Sequence, residues 1–331
     1  MIAEVAGAAV ADTDAANVTN NGHSVSEQQD QLTCTIKALP PRLLVSAAET
    51  AQRINPINAP SFGPFAAANS EFDVSDPLAI AVLTSKYWGP RPRRLTVSFL
   101  EPAPLTLRDR ILSHMNAWNR TAGISFAATN GIGDVRISRG SGGYWSYLGT
   151  DIFHIPKNRP TMNLQNFSMS TPESEYRRVV RHETGHTLGF PHEHMRRALV
   201  ARIDPAKAYD WFLRTYGWNK ATVDAQVLTP LNELSLMATP PDQTSIMCYQ
   251  LPGSITKDGR PIIGGMDINV TDFAFAGRIY LKTGHALDDG VQPDGAMGEE
   301  PAQHDVATSD WPESEDVPLE EVSSAEVAAV V

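Results

Sequence analysis

The sequence predicts an α+β fold whose front part is an α/β layer with a mixed sheet. Two observations lead there. From residue 93 onward the hydrophobic periodicity reads strand, helix, strand, strand, then a second helix, an order that layers helices on a sheet. Beyond that second helix the chain turns irregular and Pro-rich, with helical stretches at DPAKAYDWFLRTYG and TDFAFAGRIYL. Taking the chain in order, residues 1–31 are rich in Ala, Asn, Asp and Gln without periodicity and read as disordered. Residues 32–86 read as a possible pro-segment and linker, with a helix led by Pro41 through VSAAETAQRIN that stops before Pro56.

The next elements are denser in signal. RRLTVSFLE alternates Leu95, Val97 and Phe99 on one face, which argues a strand. Thr106 and Asp109 resemble a capping box, and Leu107, Ile111, Met115 and Trp118 recur at helical spacing, so 106–121 is expected to be an amphipathic helix. ISFAA and DVRIS follow as short strands across a Gly-rich turn. Thr171-Pro172-Glu173 is a helix start, with a capping hydroxyl, Pro at the first position and an acid in the first turn. The last helix is expected to be capped by Thr271, and the tail 285–331, acidic with Gly and Pro, reads as disordered.

Charge excludes some partners. The net charge of −11 resides at the ends, because residues 285–331 carry thirteen acidic groups and no Lys or Arg. All 27 basic residues lie between 37 and 284, against 20 acidic ones, with no basic cluster interleaved with aromatics, so nucleic acid is not an expected partner. No apolar run approaches the roughly 20 residues of a membrane-spanning helix. Two cysteines, Cys34 and Cys248, allow one disulfide at most. The N-terminal MIAEVAGAAVADTD has no basic flank and is a poor secretory signal, while sequons at Asn17, Asn119, Asn166 and Asn269 carry little weight without one.

The chemistry is concentrated in His182-Glu183-Thr184-Gly185-His186-Thr187-Leu188-Gly189-Phe190-Pro191-His192. On a helix, His182 and His186 sit one turn apart on one face, so both imidazoles can reach one cation. Glu183 lies beside them and can reach a metal-bound water without being a ligand. Gly189 tolerates the left-handed conformation that ends a helix, so the chain can turn and bring His192 back as third ligand. Three protein ligands leave a position open, the catalytic and not the structural arrangement of zinc.

These residues resemble the extended zinc motif of the metzincins, HExxHxxGxxH, and Glu193 after the third His is what the astacin family has there. Ser245-Ile246-Met247-Cys248-Tyr249 is similar to the astacin Met-turn. The resemblance covers about residues 87–284, the expected zinc metallopeptidase domain. It implies a zincin-like fold, a mixed twisted sheet with two long helices and an irregular, mostly helical C-terminal subdomain. It implies one catalytic zinc ion, a protein or peptide substrate, a hydrophobic base formed by Met247, and Tyr249 as an additional ligand that stabilises the transition state. It also implies secretion. The two disulfides usual in astacins cannot form here, and ALVARID replaces the usual acidic continuation, so the chain is identified as a divergent astacin-like member.

The expected reaction is peptide hydrolysis by a zinc-bound water, with Glu183 as general base and Tyr249 as donor to the oxyanion. The alternative is a zinc-containing protein-binding domain without turnover, against which Glu183 argues, since a structural site does not need it. A third reading is an intracellular peptidase for small peptides. DVRIS at 134–138 is expected to be the sheet edge on which an extended substrate adds a strand. His194 is expected to be an exposed loop imidazole, and His23, His114, His154, His285 and His304 lack ligand spacing. If 1–86 occludes the cleft, Cys34 could ligate zinc as a latency thiolate, or be an ordinary buried thiol; Asp73 or Asp76 could do the same job, though EFDVSDP lacks the family context.

Overall fold

The alternation in RRLTVSF places Leu95 and Val97 at 2% and 0% exposure and makes β2 (Arg93–Phe99) an inner strand. In this computed structural model, which describes residues 34–60, 77–231 and 240–282, β2 belongs to a six-stranded sheet. The expectations for 1–31, for Asp73 and Asp76, and for the tail 285–331 lie outside the described residues. The other strands are β1 (Cys34–Lys37), β3 (Ile124–Ala128), β4 (Val135–Ser138), β5 (Tyr144–Tyr147) and β6 (Met162–Leu164). Their order is β1-β5-β6-β4-β2-β3. Every neighbouring pair is parallel except β5 and β6, so the sheet is mixed, as the sequence predicts.

One expectation is corrected. The strand in DVRIS, β4, is not an edge: it lies between β2 and β6 with all four residues buried. Val135 and Ile137 face the core, and the Arg136 face that local alternation marks as solvated is covered by the loop leading to β6. Arg136 is 1% exposed, and its guanidinium donates to the carbonyls of Arg159 (2.8 Å), Ile155 (3.0 Å), Gly133 (3.2 Å) and Asp134 (3.2 Å). That set of acceptors lets a cation sit inside, as buried charges require. The sheet edges are β3 on one side and β1 on the other.

Segment 34–58 docks onto this sheet. After β1 comes α1 (Pro41–Ile54), whose Ala47 packs with Leu39 and Ile155. Asn58 then pins the chain: its amide donates to the carbonyls of Ala51 (2.9 Å) and Tyr87 (2.8 Å) and accepts from the Tyr87 N–H (3.0 Å). A short helix, α2 (Pro77–Leu83), precedes β2. α3 (Leu105–Met115) begins at Pro104 with no side-chain cap, so the Thr106–Asp109 box does not form. It tightens into a 3-10 turn at Asn116–Arg120. The expected stripe of Leu107, Ile111, Met115 and Trp118 is buried, packing in one core with Leu95, Val97, Val179 and Val180.

Helical segments Glu173–Glu175, π-helical Tyr176–Val180 and Arg181–Thr187 run on as one rod, α4. The C-terminal part is α5 (Arg197–Val200), α6 (Pro205–Tyr216), α7 (Lys220–Val223) continuing into a π turn at Asp224–Leu228, and α8 (Val270–Ile279). The cap of α8 is Asn269, two residues before the expected Thr271, in a reciprocal capping box with Asp272. A second core gathers Leu199, Ile203, Phe212, Val223, Val227, Leu251 and Ile262. Met247 belongs to the first core, Cys248 and Tyr249 to the second, so the turn that holds them sits at the junction of the two. Among the described residues no helix is long and apolar enough to cross a membrane.

Candidate metal centre

α4 carries His182 and His186 on one side, ring centroids 4.7 Å apart, both within 4% of full burial. The helix ends after Thr187, and Gly189 adopts φ 93°, a left-handed conformation that an L side chain would strain. That reversal returns His192 to within 4.7 Å of the His186 ring and 5.4 Å of the His182 ring.

Hydrogen bonds set the tautomers. His182 Nδ1 lies 2.6 Å from the Ile246 carbonyl, and His186 Nδ1 lies 2.8 Å from the Phe190 carbonyl. A carbonyl only accepts, so both Nδ1 atoms carry the proton and both Nε2 atoms present a lone pair inward. His186 Nε2 and His192 Nε2 are 3.1 Å apart, and one nitrogen from each of the three rings falls within 4.8 Å of the others. His182 Nε2 is buried without a partner. Burial pushes His182 down to about 4 and His186 and His192 well below the usual imidazole range, the neighbouring imidazoles adding to the effect on the latter two. Three neutral, converging nitrogens, one of them orphaned, fit a zinc ion.

Glu183 is fully buried, and neither carboxylate oxygen has a hydrogen-bond partner. Burial raises it to about 8, offset in part by the Cys34 thiol and the Arg178 guanidinium. Beneath the helix, Gly185 admits Met247: a Cβ there would stand 2.3 Å from the Met247 sulfur. The Tyr249 ring lies 4.4 Å from the His192 ring, and its buried hydroxyl has no partner. Burial lifts that phenol well above its ordinary value, with the charges of Cys34 and Glu183 adding.

His194 departs from its expected exposed position. It is fully buried, stacks on Tyr249 at 4.1 Å, accepts from the Tyr249 N–H at 3.3 Å, and donates to the Gln226 carbonyl at 2.9 Å. Both of its ring nitrogens are thus engaged by the protein, and its ring backs that of Tyr249. The two cysteines stay free: Cys248 is buried under the turn, while Cys34 stands with His182 and Glu183 in a second cluster of ligand atoms, all within 4.8 Å.

Two supports were invisible in the sequence. Asp272 accepts from Ser245 Oγ (2.6 Å), the Ile246 N–H (2.9 Å) and the Asn269 N–H (3.0 Å), tying the start of α8 to the Met247 turn. Glu193 accepts from the Asp242 N–H (3.0 Å), and its own N–H donates to the Met247 carbonyl (2.8 Å). Asp272 reads in sequence as an ordinary first-turn acid, and only its proximity to residue 245 reveals the second role.

With this geometry in hand, the comparisons with known proteins agree. The family model described as Astacin, a peptidase family, matches residues 84–257. Zinc metalloproteinase nas-27 of Caenorhabditis elegans is 32% identical over 100 residues, which is 30% of this chain and 21% of that protein. The match therefore spans about a fifth of the length of that relative. A solved structure of myroilysin aligns with a TM-score of 0.57 at 28% identity, covering 60% of this chain and 97% of the other.

Proposed function

The chain belongs to the astacin family of peptidases, and from that premise we infer that it is a zinc-dependent endopeptidase using Glu183 as its general base. The observation that carries the reading is the pair of Nδ1–carbonyl bonds that turn His182 and His186 inward beside an unpartnered Glu183. His182, His186 and His192 would hold the metal, which would supply Lewis acidity to the scissile carbonyl.

The remaining chemistry belongs to the protein. Glu183 accepts a proton from the attacking water and delivers it to the departing amine, its two buried oxygens having no internal hydrogen-bond partner to give up. The Tyr249 hydroxyl, lacking any internal acceptor, donates to the carbonyl oxygen as charge gathers there. His194 holds the Tyr249 backbone and ring face, so the hydroxyl is placed before substrate arrives. Met247 fills the floor under Gly185 and keeps the helix at its distance from the turn. A protein or peptide is the substrate in this reading, and the family favours action outside the cell.

The test is metal analysis combined with cleavage of an unfolded protein substrate by wild type, chelator-treated protein and Glu183→Ala. One zinc per chain is expected in both wild type and the variant, with turnover lost on chelation and in Glu183→Ala. Turnover that survives in the variant overturns Glu183 as base, and zinc-free protein that cleaves at the wild-type rate overturns the metal reading.

A further inference from the structure

Away from the histidines, three segments meet at the β3 side of the sheet and bring their cations together. The Arg93 N–H at the start of β2 donates to the Gly123 carbonyl (2.9 Å), the Gly123 N–H to the Tyr280 carbonyl (2.7 Å), and the Leu281 N–H to the Pro90 carbonyl (3.2 Å). α8 leans on the same turn, where Thr121 Oγ1 donates to the Phe273 carbonyl (2.6 Å). These bonds gather Arg91, Arg93, Arg94, Arg120, Arg278 and Lys282 at one corner, all exposed except the half-buried Arg93. The segments 88–100, 116–124 and 273–282 contain no Asp or Glu. Among the described residues none of these six cations has an ion-pair partner, whereas Arg110, Arg181 and Arg202 elsewhere each have one.

The corner offers charge and little else. Strand addition is blocked, because the Asn116 side chain accepts from the Phe126 N–H and donates to the Phe126 carbonyl (2.9 Å each), and Asn119 donates to the Ile124 carbonyl (3.0 Å). The outer edge of β3 is thus met by side chains. The rings are engaged as well: Arg93 lies over Trp88 (5.4 Å to the centroid), Arg120 over Phe273 (4.9 Å) and Arg278 over Phe275 (5.9 Å). The aromatic platforms on which bases would stack are therefore in use. What leaves from this corner is strongly acidic. The chain passes through Lys282 into residues 285–331, which carry thirteen acidic groups and no Lys or Arg. Asp288 and Asp289 come first, within about 20–25 Å of extended chain from Lys282.

We propose that this basic corner is the docking surface for the chain's own acidic C-terminal segment, residues 285–331, held there by charge. Single ion pairs on a surface are weak, so a free acidic peptide would bind poorly. Attachment at Lys282 changes that balance, since it gives the segment an effective concentration on the order of millimolar at the corner. The excess of positive charge between 37 and 284, 27 basic residues against 20 acidic, is then answered where six of its cations collect. Docking of this kind loosens with salt, because the screening length falls from about 8 Å at 0.15 M to about 3 Å at 1 M. It does not involve the histidine centre and stands apart from the peptidase reading.

The test uses the full chain with a dye on the thiol of Ser309→Cys, both native cysteines being buried, and with Glu183→Ala to prevent self-cleavage. Dye anisotropy is read at about 0.05 M and about 1 M salt. A high value at low salt that falls at high salt is expected. Arg93→Glu combined with Arg120→Glu and Arg278→Glu should give the low value at both. The same loss is expected when the thirteen acids of 285–331 are replaced by Asn and Gln, which leaves the corner untouched. Should the three arginines over rings prove necessary for folding, Arg91→Glu with Arg94→Glu and Lys282→Glu takes their place, and the neutralised segment decides by itself. Equal anisotropy at both salt concentrations, or an undiminished value in the neutralised segment, overturns the proposal. Anisotropy that rises with protein concentration would put the segment on a second copy, and duplex DNA bound at the corner of the intact chain would make it a nucleic-acid surface. Each of those two results overturns it as well.

Discussion

Replacing Gly185 by Ala tests how tightly the histidine helix is fitted to the turn beneath it. In an unconstrained helix interior this change is favourable by about 1 kcal/mol. Here the new methyl would meet the Met247 sulfur at 2.3 Å and its terminal carbon at 3.0 Å, with a Trp118 ring carbon at 3.3 Å on the other flank. Met247 must withdraw by about 1 Å to restore van der Waals contact. It is 3% exposed in a packed core, so the strain is about 1–3 kcal/mol and largely cancels or exceeds the helix gain. The larger effect falls on the metal. The carbonyl of Ile246 orients His182, and the carbonyl of Met247 holds the Glu193 N–H beside His192, so a displaced turn moves two of the three imidazoles proposed to hold zinc. Loss of such supports lowers metal affinity by about 10–100-fold. The assay is a double-mutant cycle of Gly185→Ala and Met247→Ala, read by urea unfolding of the metal-free protein and by chelator competition for zinc. Met247→Ala alone should lose about 2–5 kcal/mol through its cavity. In the double variant the methyl introduced at position 185 has room, so the pair should couple by about 1 kcal/mol or more. Additive effects on both readouts would show that the contact between position 185 and the Met247 sulfur is not what sets the fit.

Tyr249→Phe is expected to lower kcat about 10²-fold with KM little changed, as loss of one oxyanion donor does; an unchanged kcat removes Tyr249 from the reaction. Asp272→Ala leaves the Ser245 hydroxyl and the Ile246 and Asn269 N–H groups without their acceptor, at about 3–5 kcal/mol in total. Urea unfolding measures it, and a loss well under that range would mean water replaces the carboxylate. Burial holds the His114 imidazole below its ordinary value, although Glu173 at 3.3 Å pulls the other way. The unfolded chain therefore takes up this proton first as pH falls. The contribution of His114 is complete above about pH 6.5 and is lost as pH drops through its lower folded value. His114→Gln should flatten the dependence of unfolding free energy on pH below about 6.5, and an unchanged slope would refute that assignment.

The histidine helix and its stop were legible because they depend on neighbours within a turn or two. His182 and His186 share a face by spacing alone, and Gly189 reverses the chain because a missing Cβ permits φ 93°. The amphipathic stripe of α3 was legible for the same reason, since Leu107, Ile111, Met115 and Trp118 repeat at the helical period. The strands carried less information. β1 and β5 have four residues each and β6 three, too few for a period of two to stand out, and both flanks of β4 look alike until its neighbours are known.

By itself, then, the sequence determined the make-up of the candidate centre: three imidazoles, one carboxylate and the helix end that gathers them, all within eleven residues. Only the tertiary structure decided which strand is the edge, that Arg136 and His194 are interior, that Asp272 braces the Met247 turn, and that Cys34 stands beside His182 and Glu183. Each of these depends on partners far apart in the chain, 190 residues in the case of Ile36 and Gln226. Local spacing reports the geometry of one helix or one turn. Contacts at long range arise from how whole elements pack, and no short pattern encodes that sum.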